Sequence, residues 1–282
     1  MKCDCHIHMV LDGVNWKSAI ARHTVNPDEN FIRQALAIYK EKGYTYLRDG
    51  GDRWGVGKAA RSLAESYGIT YRTPLSPLCK KGHYGAFIGE QYEDLKEYAA
   101  LVRRLGSDGC DFIKIMISGL MDFDHFGVLT QEGLCKEEIR ELIHIAHEEG
   151  HSVMAHCNGA RTAEAAALSG VDSIEHGAYL DRDALQAMAG SRTVWVPTLS
   201  TIGNLRGAGR FSEKDVARIF ESAAENCAAF ADMGGLLAPG TDAGAWNVPH
   251  GSESEDAYLH DILGEKADEI LSNGIHAIQS RF

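Results

Sequence analysis

The segment CDCHIHMVLDG at residues 3–13 places two cysteines and two histidines within six residues. Imidazole and thiolate groups are the ligands that Zn²⁺ prefers in proteins, so this spacing raises the question of a metal site. If residues 2–10 form a strand, successive side chains point to opposite faces. That alternation gives two faces, with Asp4, His6 and His8 on one and Cys3, Cys5, Ile7 and Met9 on the other. A tetrahedral site cannot easily collect ligands from both faces, so we predict an H-x-H pair facing a site and buried thiols behind it. On this stretch alone, two core histidines satisfied by hydrogen bonds are the alternative.

The rest of the chain alternates between short apolar runs and helical patterns. The strand-like runs are residues 2–10, 44–51, 69–74, 110–119, 151–156, 171–176, 193–198 and 235–244. The helical patterns cover residues 27–42, 56–67, 90–105, 130–150, 160–169, 181–189, 212–233 and 253–272, with Thr130 as the expected cap of the fourth. Regular strand-then-helix order is typical of a parallel sheet, and eight units suit a closed (β/α)8 TIM barrel of about 250 residues. We therefore predict one α/β barrel domain over residues 1–282, with a doubly wound open sheet as the alternative.

Composition narrows the class of protein. The 282 residues are 44% hydrophobic, which supports a sizeable core, and carry a formal net charge of -12. A nucleic-acid or anionic-membrane binder needs a basic surface, so neither partner is expected. The seven cysteines are scattered and never spaced C-x-x-C, which indicates buried, reduced thiols rather than a disulfide framework or a zinc ribbon. No apolar run approaches the length of about 18 residues that a membrane helix needs, and the chain start lacks a signal-peptide core. We expect a soluble, cytoplasmic protein.

Ionisable residues fall at the ends of five predicted strands. In a barrel of this kind, the chemistry lies at the carboxyl ends of the strands. The residues found there, or within the strand in the case of the lysine, are His6, His8, Lys114, His156, His176 and Asp242. Buried polar groups without partners cost about 1–3 kcal/mol each, so their convergence is hard to explain as packing. The sequence therefore predicts a metal site at one end of the barrel.

This constellation resembles the amidohydrolase superfamily. The signature of that family is H-x-H on strand one, a lysine on strand four, histidines on strands five and six, and an aspartate on strand eight. The matching segments are CHIHMVLDG, DFIKIMISG, MAHCNGA, SIEHGAY and APGTDAG. Their local sequence is similar to the branch that includes imidazolonepropionase-like enzymes and Xaa-Pro dipeptidases. Members of that branch usually carry a flanking β-sandwich, which we expect to be lacking here.

The resemblance implies a role for each of the six residues. His6 and His8 bind one metal ion, His156 and His176 bind a second, Lys114 bridges the two as a carbamate, and Asp242 binds the first ion and exchanges protons with the attacking water. Two zinc ions are expected, with iron, manganese or cobalt as alternatives. An ordinary Lys114 ammonium paired with a carboxylate such as Asp242 would instead leave a single-metal site.

Candidate substrate-binding residues follow three of the strands. His83 and Tyr84 lie in the loop after strand three, Arg161 follows His156 closely, and Tyr179 follows His176. Arg161 has the chemistry to pair with a substrate carboxylate, although an exposed arginine at a helix start is the simpler interpretation. His83 resembles the histidine of a Gly-His-Gly loop in the branch named above.

These features together predict a metal-dependent hydrolase. We expect a metal-activated hydroxide to cleave an amide, peptide or cyclic amide bond in a small-molecule substrate. The alternatives are a lactone or phosphoester hydrolase on the same centre, a mononuclear cyclic-amide hydrolase or deaminase, and a metal-binding barrel without catalysis. Asp242 argues against the last, because a purely structural site has no use for a proton shuttle. Assembly into a homo-oligomer is left open by the sequence.

Overall fold

The computed structural model describes residues 2–282 and has a mixed α/β fold. These residues form ten strands: β1 (Lys2–Ile7), β2 (Tyr44–Asp49), β3 (Thr70–Arg72), β4 (Leu78–Lys80), β5 (Glu90–Tyr92), β6 (Ile113–Met116), β7 (Val153–Cys157), β8 (Ser173–His176), β9 (Val194–Val196) and β10 (Leu236–Leu237). They also form eleven α-helices: α1 (Trp16–His23), α2 (Glu29–Glu41), α3 (Val56–Ala64), α4 (Leu95–Ser107), α5 (Lys136–Glu148), α6 (Ala160–Leu168), α7 (Arg182–Ser191), α8 (Ser200–Gly203), α9 (Glu213–Asp232), α10 (Ser254–Leu263) and α11 (Ala267–Arg281).

All strand pairs are parallel, which confirms the sheet type predicted from the alternation of strands and helices. One sheet has the order β1-β2-β3, and the other has the order β10-β9-β8-β7-β6-β4-β5. Backbone hydrogen bonds link β1 to the segment after β10 and link the residue after β3 to the segment before β6. At the first link the Cys5 amide donates to Pro239 (2.9 Å) and the Asp242 amide donates to His6 (2.7 Å); at the second, the Asp111 amide donates to Thr73 (3.0 Å).

The register of β1 against β2 departs from simple alternation. Asp4 pairs with Leu47 and Ile7 with Asp49, so β1 uses three steps where β2 uses two. An extra residue of this kind is a bulge, and bulges re-aim side chains beside active sites. Cys3 and Cys5 consequently pack with Tyr46, Met154, Val194 and Val196, whereas Ile7 and Met9 belong to a different core cluster. The prediction that the two cysteines share a face with Ile7 and Met9 is therefore wrong. Both cysteines are buried as expected, and all seven cysteines of the chain are free.

Several predicted helix boundaries differ from the structure. The helix expected from residue 130 begins at Lys136, because the Thr130 hydroxyl accepts a hydrogen bond from the Leu120 amide instead of capping a helix. The helix expected from residue 90 begins at Leu95 and is capped by Asp94, while Glu90–Tyr92 pairs with β4 as a strand. The last predicted helix is divided at Gly264 into α10 and α11.

Candidate metal centre

The six predicted ligands lie around one cavity at the carboxyl ends of the strands. The cavity has a volume of about 920 Å³, and its wall includes His8, Lys114, His156, His176 and Asp242. His6 is fully buried beside them, with its ring centroid 5.3 Å from that of His8 and 5.1 Å from that of His176. The strand ends therefore bring together the side chains that the sequence singled out.

Three of these groups form a compact triangle. The His6 and His8 Nε2 atoms are 3.4 Å apart, and Asp242 Oδ1 lies 3.7 Å from the first and 3.5 Å from the second. Tetrahedral zinc with bonds of about 2.0–2.1 Å places its ligand atoms about 3.3–3.4 Å apart. Asp242 Oδ1 is buried and has no hydrogen-bond partner among the described residues. The spacing and the unpartnered oxygen both fit a cation between the three groups, whose ligand atoms lie close enough together to hold one.

The remaining two histidines lie against this triangle but outside it. Their ring centroids are 4.6 Å apart. His156 Nε2 donates to the Gly119 carbonyl (3.2 Å), and His176 Nδ1 lies 2.7 Å from the Thr198 hydroxyl. Histidine ligands are commonly held by a hydrogen bond to one ring nitrogen, which leaves the other for the metal. Both residues have this arrangement.

Burial controls the charge state of the histidines. Burial, with a smaller contribution from the nearby Lys114 charge, lowers the pKa of His8 and of His156 to about 3. The pKa values of His6 and His176 are also lowered well below the usual value, again mainly by burial. All four rings are therefore neutral at pH 7, and the neutral ring is the form that binds a metal ion.

Lys114 is fully buried, and its Nζ has no hydrogen-bond partner among the described residues. Burial lowers the pKa of this amine to about 8, against a smaller opposing effect of Glu175. Burial likewise raises the pKa of Asp242 to about 8, and Lys114 opposes that shift. A buried amine and a buried carboxyl oxygen that both lack a hydrogen-bond partner indicate a site that binds an ion or a ligand.

The backbone at the site is strained. His176, Thr198 and Asp242 have φ angles of 70°, 50° and 58°, in the left-handed region that non-glycine residues seldom adopt. Such conformations cost about 1–3 kcal/mol each and persist where the surrounding structure imposes them, typically at functional sites. The sequence did not predict these left-handed conformations, because aspartate, histidine and threonine all adopt negative φ angles more often.

Gly50 follows β2 and lies against the His8 ring. A Cβ atom at this position would stand 2.3 Å from His8 Cε1. The glycine pair of RDGG, which ends the second predicted strand, is consistent with this close approach, since glycine often lies where the backbone approaches another group.

The cavity walls are mainly apolar and aromatic. Six aromatic rings line it: Trp16, Tyr84, Phe87, Phe123, Phe211 and Trp246. The Arg210 guanidinium, which also lines the cavity, lies 4.4 Å from the Trp246 ring centroid and 5.2 Å from that of Phe211. Arg210 was not among the predicted site residues, because the loop that carries it has no distinctive spacing.

The four predicted substrate residues are placed differently from one another. Tyr84 lines the cavity, with its ring centroid 4.8 Å from that of His156. The side chains of His83, Arg161 and Tyr179 are not part of the cavity wall. Arg161 is exposed near the start of α6, and Tyr179 packs against Phe126 with centroids 5.5 Å apart. Their substrate roles stay predictions.

Comparison with known proteins places the fold. Three solved structures that cover nearly all of this chain are a Xaa-Pro dipeptidase with bound methionine (TM-score 0.76, 21% identity, 98% of this chain and 74% of that chain), a prolidase complexed with N-methylphosphonate-L-proline (0.76, 22%, 99% and 74%) and the A. niger ochratoxinase (0.76, 19%, 99% and 69%). The chain thus has the fold of amidohydrolases and dipeptidases, and the resemblance expected from the sequence is confirmed at this level.

Few relatives of this chain are identified from its amino-acid sequence alone. No family model matches the chain. Uncharacterised proteins from Mycobacterium bovis and two strains of Mycobacterium tuberculosis are 29% identical over 139 residues, which is 47% of this chain and 37% of each relative. The match therefore spans less than half the length of these relatives.

Of the helices within residues 2–282, none has the length and apolarity needed to cross a membrane.

Proposed function

We propose that this protein is a metal-dependent hydrolase that cleaves an amide, peptide or cyclic amide bond on a (β/α)8 barrel. The observation that carries the proposal is the triangle of His6 Nε2, His8 Nε2 and Asp242 Oδ1, with sides of 3.4, 3.5 and 3.7 Å, at the wall of a large cavity. The backbone hydrogen bonds between β1 and the segment after β10, and between the segments next to β3 and β6, support a closed barrel.

We infer that this donor set holds two metal ions. His6, His8 and Asp242 would hold one, His156 and His176 would hold the second, and a carbamate on Lys114 would supply the anion between them. Zinc suits these ligands, with iron, manganese or cobalt as alternatives. When bound, such a pair polarises a carbonyl group and lowers the pKa of water.

We infer that Asp242 is the proton carrier. It lines the cavity, and its Oδ2 lies 4.0 Å from His176 Nδ1. As the water oxygen attacks the carbonyl carbon, Asp242 would take the proton that the water loses. It would then deliver that proton to the amide nitrogen as the carbon–nitrogen bond breaks, since an amine leaves poorly until it is protonated.

A substrate screen tests the proposal. Protein loaded with Zn²⁺ is expected to hydrolyse members of a panel of dipeptides, N-acyl amino acids and cyclic amides. A chelator should abolish this activity, and added Zn²⁺ should restore it. Lactones and phosphoesters complete the panel. Turnover of those esters alone would support the rival hydrolase, and no turnover of any class would support a metal-binding barrel without catalysis.

We infer a substrate with a large apolar group and a carboxylate from the residues of the cavity wall. Six aromatic rings offer the apolar surface. No ion pair or hydrogen bond joins the Arg210 guanidinium to another described residue, so its donors are free for an anion. Arginine held between aromatic rings is a favourable carboxylate receptor because its planar head is already oriented.

Replacing Arg210 with methionine is expected to raise KM for carboxylate substrates by about 10–100-fold, since a hydrogen bond to a charged group contributes about 1.5–3 kcal/mol. Their neutral amide analogues should change little. Arg206 provides a matched control, because its guanidinium stacks 4.2 Å from the Phe220 ring centroid but does not line the cavity. Equal effects of R210M and R206M on KM would remove Arg210 from substrate binding.

A further inference from the structure

Two oppositely charged residues on different strands have completely buried side chains. Arg48 lies on β2 and Glu175 on β8, and both side chains have 0% exposure. Burying an ion pair requires its full desolvation, and an apolar pair of similar volume often gives equal or greater stability. Stability alone therefore does not account for this pair.

Glu175 connects the buried arginine to His6. Its Oε2 lies 2.6 Å from His6 Nδ1, and its Oε1 accepts from Arg48 Nη2 (2.8 Å) and from the Ser173 hydroxyl (2.6 Å). Arg48 donates further to the Ser173 hydroxyl (2.9 Å) and to the Cys5 carbonyl (2.7 Å). The donors on Oε1 leave Oε2 to accept from the imidazole.

The arginine is itself fixed in place. Its Cζ atom lies 4.5 Å from the Phe282 ring centroid and 6.0 Å from that of Phe112. An arginine always carries its charge and presents its donors in a rigid plane. Glu175 is thus held from one side by a group that neither titrates nor moves freely.

We propose that Glu175, oriented by Arg48 and Ser173, is the positioning residue of the first metal ligand. It holds His6 with a proton on Nδ1, which turns the Nε2 lone pair toward His8 Nε2 and Asp242 Oδ1. The hydrogen bond from Nδ1 to the Glu175 carboxylate also makes the His6 ring a stronger metal ligand. This inference rests on the proposed metal-dependent function and assigns no contact between Glu175 and the substrate.

The test is the substitution Glu175→Gln. A glutamine has one oxygen, so its NH2 group must face a donor of either Arg48 or His6. Zn²⁺ affinity, measured by competition with a chromophoric chelator, is expected to fall about 10–100-fold. The Co²⁺-loaded variant should also show an altered visible spectrum, which reports ligand geometry independently of turnover.

Glu255 offers a matched control. It is also buried, and its Oε2 accepts from the Ser200 amide (2.8 Å) and hydroxyl (3.0 Å), but it contacts no proposed ligand. Glu255→Gln should leave Zn²⁺ affinity and the Co²⁺ spectrum unchanged. If E175Q does not fold, Ser173→Ala removes only one donor to Oε1 and should weaken Zn²⁺ binding in the same direction but less.

The outcomes separate the inference from the proposed function. Wild-type protein that binds neither Zn²⁺ nor Co²⁺ would overturn the metal site and this inference together. Wild-type binding with equal affinity in E175Q, or in S173A where E175Q does not fold, would overturn the inference alone. In metal-free protein labelled with ¹⁵N-histidine, a deshielded His6 Nδ1 proton that disappears in E175Q would support it.

Discussion

Replacing Asp242 with asparagine is expected to lower kcat by about 10²–10⁴-fold, the range typical of lost general acid–base catalysis. Asparagine keeps a carbonyl oxygen in the same place, so it can still approach His6 and His8. It cannot accept a proton from water and pass it on. The measurement is steady-state hydrolysis of the best substrate from the screen, together with metal content per chain.

The control for this substitution is Asp28→Asn at the start of α2. Asp28 accepts from the Asn30 and Phe31 amides, and asparagine caps helices equally well. D28N should therefore retain full activity. Unchanged turnover in D242N at equal metal content would remove Asp242 from the mechanism.

The second large effect is expected from replacing Lys114 with methionine. If a carbamate on Lys114 joins two metal ions, wild-type protein should bind two ions per chain and the variant one, with activity reduced by roughly 100-fold or more. Protein incubated with ¹³C-labelled bicarbonate should show a carbamate resonance that is absent in the variant. The same change removes an unpartnered buried amine, so metal-free K114M should be more stable than metal-free wild type by about 1–3 kcal/mol.

Lys80 serves as the comparison, because it pairs with Glu138 at 2.7 Å and lies outside the cavity wall. K80M should bind metal as the wild type does. One ion per chain in wild-type protein would leave Lys114 without a bridging role, and the mononuclear alternative would then replace the two-metal proposal.

The sequence was most informative where a residue type and a periodicity agreed. His156 and His176 end apolar runs, and the structure places both at the ends of parallel strands beside one cavity. The alternation of parallel strands with helices could be predicted because most apolar runs are short and have clear boundaries, but β4, β5, α1 and α8 were not among the predicted elements. The convergence of the six side chains then follows from the parallel sheet.

Other features depend on tertiary contacts that no local pattern encodes. The strands Leu78–Lys80 and Glu90–Tyr92 have three residues each, too few to show alternation. The bulge in β1 is defined by pairing with β2, so the simple face assignment of Cys3 and Cys5 could not foresee it. Glu175 stood in the sequence as a charge inside a strand, but its partner Arg48 is 127 residues away along the chain.

The left-handed backbone at His176, Thr198 and Asp242 has a consequence for engineering this protein. Glycine at any of the three positions would remove the conformational cost of the left-handed backbone. At positions 176 and 242 it would also delete a proposed ligand, and at position 198 it would delete the hydroxyl beside His176. A substitution that relieves this strain would thus remove part of the proposed metal site, so stabilising substitutions should be sought elsewhere in the chain.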